Sequence, residues 1–156
     1  MNSVIGNPQI TPFLWFDGNA EEAAEYYISI FPNSRKVGEL RNIGDAPGPN
    51  GGILTISFEL NGLRFIALNG GPEHKFNEAV SFVVNCENQE EIDYYWGKLV
   101  DGGSPIARGW LKDKFGLRWQ VTPTRIGELL RSSKAMQAMM QMTKFDIAEL
   151  ERAAAS

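Results

Sequence analysis

The stretch FDGNAEEAAEYY, Phe16 to Tyr27, returns in altered form as NCENQEEIDYYW, Asn85 to Trp96. Asn19-Ala20-Glu21-Glu22 matches Asn88-Gln89-Glu90-Glu91, and a Tyr-Tyr pair follows each. A strand-like run precedes both copies, ITPFLWF in the first and AVSFVVNC in the second. A repeat of this kind restricts the fold to architectures built from one supersecondary unit used twice. The Asn-x-x-Glu pattern predicts a helix start: Asn19 or Asn88 accepts from a first-turn N–H, and Glu22 or Glu91 reaches back to the cap. In the second helix Ile92, Tyr95, Trp96, Leu99 and Val100 form one apolar stripe, and Gly102-Gly103 ends it. The first helix places Ala23, Tyr27, Ile30 and Phe31 inward and stops at Pro32.

Between the helices, ILTISFEL and LRFIALN flank Asn61-Gly62, the favoured pair for a two-residue type I′ hairpin. That turn pairs Leu60 with Leu63, Glu59 with Arg64, Phe58 with Phe65 and Ile56 with Ala67, with opposite charges across the strands at Glu59 and Arg64. The preceding LRNIGDAPGPNGG reads as a mobile loop over an edge. In the second half SPIARGW, WLKD and LRWQVTP repeat the strand pattern, with a turn at Asp113-Lys114-Phe115-Gly116. In the last strand Leu117, Trp119 and Val121 take one face and Arg118, Gln120 and Thr122 the other. After Pro123 the pattern turns helical: Met136, Met139 and Met140 share a face, packing within the chain or across a dimer, and Asp146 with Glu149 marks another helix start. The expected fold is α+β: paired βαβββ modules with C-terminal helices, in a single domain of residues 1–156. Module one spans about 8–72, module two about 78–123, and a helical extension 124–156.

Bulk properties remove several function classes. A net charge of -4 argues against nucleic-acid binding, which needs a basic face. No apolar run reaches the length of a spanning helix, so no membrane role is expected. MNSVIGNPQI lacks the regions of a signal peptide, and the single cysteine, Cys86, suits a reducing compartment; the expected location is cytoplasmic.

The stretches FLWFDGNAEEAAEYY, FIALNGG, FNEAVSFVVNCENQEEIDYYWGKL and GWLKDKFGLRWQVTP resemble the PhnB-like branch of the vicinal oxygen chelate superfamily, the branch labelled 3-demethylubiquinone-9 3-methyltransferase. The superfamily includes glyoxalase I, bleomycin-resistance proteins and extradiol dioxygenases. The resemblance covers about residues 10–150. It implies sheets that curl around a cavity, with modules pairing within or between chains, often in a dimer. Metal-using members set one ligand on each of four cavity-facing strands, and those positions fall near Thr11, Ala67, Ser81 and Gln120. Alanine has no ligand atom, and serine and threonine hydroxyls are poor ligands for divalent transition metals. No metal and no cofactor are therefore expected.

Alternation puts Thr11, Phe13 and Trp15 on one side of the first strand, and Ser81 and Val83 on one side of the fifth. Phe65, Ala67, Arg118 and Gln120 join them as candidate cavity residues; the alternative is that the aromatics simply fill the core. Trp110, Lys112, Lys114 and Arg118 form a basic and aromatic cluster suited either to an anionic ligand or to a solvated hairpin. His74, the only histidine, lies in a polar connector and reads as an exposed or rim residue rather than a general base, and Cys86 reads as buried and inert. The expected function is metal-free binding of a small molecule, unnamed by the sequence, in a homodimer. The alternative is an enzyme: a methyltransferase, as the family label says, or a metal-dependent lyase or isomerase of glyoxalase type. The residues give methyl transfer no support, since no Gly-rich turn joins a strand to a helix in a parallel sheet.

Overall fold

The computed structural model describes residues 8–156. Most of the N-terminal stretch read for targeting signals, residues 1–7, lies outside them. The chain divides into two compact units, one ending at Lys75 and one beginning at Phe76.

The first unit runs β1 (Phe13–Phe16), α1 (Ala20–Ile30), β2 (Arg35–Arg41), β3 (Ile53–Leu60) and β4 (Leu63–Asn69). These strands form a four-stranded sheet in the order β1-β4-β3-β2. The β3–β4 hairpin has the expected register, Leu60 opposite Leu63 and Glu59 opposite Arg64. Its turn residues Asn61 and Gly62 have φ of 50° and 89°, the left-handed pair a type I′ turn requires. Leu14, Phe16, Ile56, Phe58, Leu60, Phe65 and Ala67 are buried. They lie on the side where α1 packs against β3 and β4, with Ala20, Ala23, Ala24, Tyr27 and Ile30 buried opposite.

The second unit repeats the order: β5 (Phe82–Cys86), α2 (Gln89–Val100), β6 (Ser104–Ala107), β7 (Trp110–Lys112) and β8 (Arg118–Pro123), in a sheet ordered β5-β8-β7-β6. α2 covers the face carrying Val84, Cys86, Leu111, Trp119 and Val121, and buries Ile92 and Leu99. Both sheets pair their outer first strand with their last in parallel, and all other neighbours are antiparallel.

The helix starts differ in how they are capped. Asn88 Oδ1 accepts from the N–H of Glu91 at 3.0 Å, as expected. The Glu91 carboxylate accepts from the N–H of Glu87, one residue before the cap. Asn19 makes no such bond. Its place is taken by Asn69 at the end of β4, whose Oδ1 accepts from Ala20 N–H at 2.9 Å and whose Nδ2 donates to Ile53 O. The first helix is thus tied to the sheet by a residue 49 positions away.

The segment expected to be a mobile loop begins inside β2 and then folds around a buried Asn42. Asn42 Nδ2 donates to the carbonyls of Ala46, Pro47 and Gly48, and its Oδ1 accepts from Gly44 and Ala46.

After β8 come α3 (Ile126–Leu129), α4 (Ser133–Met140) and α5 (Ile147–Ala155). Asp146 caps α5 as predicted, accepting from Glu149 N–H at 3.0 Å. The extension is clasped to α2 by Gln89, which donates to Phe145 O and accepts from Ile147 N–H. Met136 and Met140 stay exposed on α4, which instead buries Ala135. Of the methionine stripe, only Met139 is half-buried.

Candidate functional site: two open sheet faces

A sheet covered by a helix on one side has its other side left over, and strand alternation decides what that side carries. In the second unit the open side of β8 carries Arg118, Gln120 and Thr122. Register adds Val83 and Trp110 beside Gln120, and Lys112 beside Arg118. Gln120 Nε2 donates to Ser81 Oγ at 3.0 Å. Arg118 donates from Nε and Nη2 to Glu78 Oε2 at 3.0 and 2.9 Å, and from Nη1 to Phe76 O, and its side chain is only 13% exposed. Arg118 holds the Glu78 carboxyl below the usual carboxylate range. Of the sequence-predicted residues, Ser81, Trp110, Arg118 and Gln120 thus share one open face. Lys114 does not join them: it sits in the turn, over the Phe115 ring at 5.6 Å.

The first unit departs from the sequence expectation. Phe13 and Trp15 lie on the open side of β1, but Phe65 and Ala67 do not share it. In the parallel pairing, Leu14 stands beside Ala67, while Phe13 stands beside Ile66 and Trp15 beside Leu68. Phe65 and Ala67 are 3% and 0% exposed beneath α1, so the expectation that they join Phe13 and Trp15 fails by one residue of register. Thr11 precedes β1 and is half-buried.

Trp15 is itself pinned. Its Nε1 donates to Gly71 O at 2.9 Å, and the exposed His74 ring meets it edge-on at 4.7 Å. A Cβ at Gly70 would lie 2.4 Å from Trp15 Cε2, so the Asn-Gly-Gly sequence after β4 makes room for this ring. The next element after it is β5, not a helix, so it is not a nucleotide-type turn.

The open side of β1-β4-β3-β2 bears a groove of about 420 Å³ lined by Phe13, Leu40, Thr55, Ser57, Arg64 and Ile66, among others. Sequence reasoning missed Thr55, Ser57, Arg64 and Ile66 as site candidates. A signal existed. Gly62-Leu63-Arg64-Phe65 returns as Gly116-Leu117-Arg118-Trp119. Phe13 pairs with Ile66 as Val83 pairs with Gln120, so Arg64 and Arg118 occupy equivalent positions in the two units. The equivalent of Gln120 is Ile66, not Ala67.

A family model described as 3-demethylubiquinone-9 3-methyltransferase matches residues 8–122. The chain belongs to this family. A putative 3-demethylubiquinone-9 3-methyltransferase, PhnB protein, from Bacillus cereus is 36% identical, with a TM-score of 0.68 over 74% of this chain and 99% of that one. Two further structures show the fold alone. A Pseudomonas aeruginosa protein is 23% identical, with a TM-score of 0.62 over 75% of this chain and 98% of that one. The fosfomycin resistance protein FosX from Mesorhizobium loti is 10% identical, with a TM-score of 0.58 over 82% of this chain and all of that one. No curated protein sequence matches significantly. The fold is that of the glyoxalase/bleomycin-resistance type, and the family is the PhnB-like branch of the vicinal oxygen chelate superfamily. The family match ends at Thr122, so α3, α4 and α5 lie beyond it.

Metal-using relatives need ligands at the cavity-facing strand positions. The sequence reading put those positions near Thr11, Ala67, Ser81 and Gln120; Thr11 precedes β1, and Ala67 faces α1, with Ile66 on the open side in its place. Among the described residues no group of three or more His, Cys, Asp or Glu could hold a metal ion. An isoleucine, two hydroxyls and an amide do not make a transition-metal ligand set. Cys86 offers no nucleophile: burial, with Glu91 and Glu87 adding negative charge, pushes its thiol up to about 12. No helix among the described residues is long and apolar enough to cross a membrane.

Proposed function

We propose that this chain is a small-molecule-binding protein that holds its ligand without a metal or other cofactor, against the open sheet faces. The observation behind this reading is the Gln120–Ser81 pair, set among Val83, Trp110 and Arg118 on the side of β8 away from α2. Fixed polar groups set beside apolar and aromatic side chains are what orient a ligand in a binding site. A half-buried amide can donate and accept, so Gln120 suits a polar ligand atom. In this reading Ser81, Trp110, Arg118 and Gln120 form the contact face of the second unit, and Thr11, Phe13 and Trp15, taken by themselves, that of the first. Phe65 and Ala67 support from beneath.

The same reading takes the protein as a cytoplasmic homodimer. Exposed Met136 and Met140 on α4, and sheet edges at β2 and β6, provide surface that a second copy would cover. The test is thermal-shift screening of a library of small aromatic and anionic compounds on wild type and Gln120→Leu. Stabilisation of the wild type that is lost in a folded variant is expected. Stabilisation retained in Gln120→Leu would sink the assignment.

The family description favours a second reading, methyl transfer. Neither sheet is all-parallel, and no described strand is followed by a Gly-rich turn into a helix of the kind that binds a methyl-donor nucleoside. Incubation with methyl-labelled S-adenosylmethionine and a quinol precursor separates the readings: saturable label transfer establishes the enzyme.

A further inference from the structure

We infer that Arg118 is a carboxylate subsite on the open face of the second unit, and that Glu78 is its built-in occupant, displaced when a ligand carboxylate arrives. This rests on the small-molecule reading of that face and adds a charge class and an exchange step to it.

The charges on this sheet are few. β5, β6, β7 and β8 contain no aspartate or glutamate, and their two cations, Lys112 and Arg118, stand side by side on the open side. Lys112 has no ion-pair partner among the described residues. The acids of α2 lie across the sheet. Asp113 is buried on the covered side, where it accepts from Phe115, Leu117 and Trp119. Glu87 follows the far end of β5 and accepts from Thr124 Oγ1 at 2.7 Å. Glu78, in the turn before β5, is therefore the carboxylate at the Arg118 end of this face.

The pair it makes is incomplete. Arg118 Nε and Nη2 converge on one oxygen, Oε2, at 3.0 and 2.9 Å. That guanidinium edge can hold both oxygens of a well-placed carboxylate, so Glu78 makes a one-oxygen contact at a two-oxygen site. The third nitrogen, Nη1, donates to the carbonyls of Phe76 and Gly116, which hold the guanidinium whether or not Glu78 is present. Exposure divides the partners in the same way: 13% for the Arg118 side chain and 57% for Glu78. The arginine is the fixed half and the glutamate the loose one. An ion pair with an exposed partner is weak, so a better-fitting carboxylate can replace it. Arg118 keeps the Glu78 carboxyl low, so at neutral pH one carboxylate replaces another and no proton moves.

The neighbours define the rest of the ligand. Gln120 lies two residues along β8 from Arg118, a separation of about 7 Å. Trp110 stands opposite Gln120 on β7 and Val83 beside it on β5. A carboxylate joined through one aromatic ring to a hydroxyl about 7 Å away spans both polar groups.

The test titrates 4-hydroxyphenylacetate and its neutral counterpart 4-hydroxyphenylacetamide by isothermal calorimetry at pH 7 and low salt. Wild type should bind the acid about threefold or more tighter than the amide. Glu78→Gln, which removes the occupant at an exposed position, should tighten the acid by a further factor of about three to five and leave the amide unchanged. Arg118→Lys keeps the charge but loses the two-nitrogen edge, and should lose most of the preference for the acid. Glu87→Gln removes the same charge from the far end of β5 and should leave the acid at its wild-type affinity. Equal gains in Glu78→Gln and Glu87→Gln would show bulk charge instead of displacement and overturn the inference. An unchanged or weaker acid in Glu78→Gln would overturn it too. If acid and amide bind alike and Gln120→Leu weakens both, the face is a ligand site without the carboxylate subsite. If neither probe binds folded wild type or Glu78→Gln at millimolar concentration, the inference falls. The library screen on Gln120 then decides the broader reading separately.

Discussion

Trp119 Nε1 donates a 2.8 Å hydrogen bond to Oδ2 of Asp113, a carboxylate with only 1% exposure. Its other oxygen accepts from the N–H groups of Phe115 and Leu117 at 2.8 and 3.0 Å. One aspartate therefore satisfies three donors and fixes the β7–β8 hairpin, whose outer side carries Trp110, Arg118 and Gln120. Asp113→Ala would remove the acceptor of two buried donors and one half-buried one. We expect a loss of about 3 kcal/mol in urea unfolding. A loss below about 1 kcal/mol would show that the hairpin is held by something else.

The Ser81–Gln120 bond should behave in the opposite way. Both residues are half-buried on an open face, so a double-mutant cycle to Ala should give a coupling of only about 0.5–1 kcal/mol. Each single variant should keep the wild-type near-ultraviolet circular dichroism. Loss of native packing in Gln120→Ala would mean that this residue belongs to the core.

Cys86 should make stability fall in alkali. Its thiol is raised from 9.0 to about 12 by burial, so the folded chain holds this proton more tightly than the unfolded chain. That contribution is fully present below pH 9 and is lost as the pH climbs from there towards 12. Between pH 8 and 10 wild type should lose about 1 kcal/mol more than Cys86→Ala. Thiol labelling at pH 8 gives a second measure: native protein should react far more slowly than protein in denaturant.

Gly109 should prove indispensable to the C-terminal extension. Its φ is 85°, and a Cβ there would lie 2.4 Å from Phe145 Cε2. The Gly109 N–H also donates to Thr143 O, and that of Arg108 to Met142 O. Gly109→Ala should release residues near 142–156, seen as early proteolytic trimming at Lys144. Uncleaved protein under conditions that leave wild type intact would refute this.

Sedimentation should report about twice the chain mass of 17.4 kDa at micromolar concentration. Met136→Lys with Met140→Lys should shift the species towards the single-chain mass. A monomeric wild type would remove the proposed dimer.

Local chemistry made most of the fold readable. The Asn61-Gly62 turn fixes a hairpin register without help from the rest of the chain, and the Asn88 cap acts within its own turn. The parallel contact between β1 and β4 has no turn to set it, and this is where the reading slipped: alternation sorts residues into two faces but does not say which face of one strand matches which of the other. Ala67 and Ile66 differ only in that choice. The cap of α1 was hidden for a similar reason, since Asn69 supplies it from across the sheet. Arg64 was hidden differently, by a hairpin argument that used it only as the partner of Glu59.

The sidedness of the two sheets has a consequence for how such a chain can change over time. Phe65, Ala67, Trp119 and Val121 answer to the helices above them, whereas Arg64, Ile66, Arg118 and Gln120 answer to whatever they meet from the other direction. Tolerance to substitution should therefore rise and fall every second residue along β4 and β8, in step between the two copies. New specificities can be tried on one set of positions while the other keeps the chain folded.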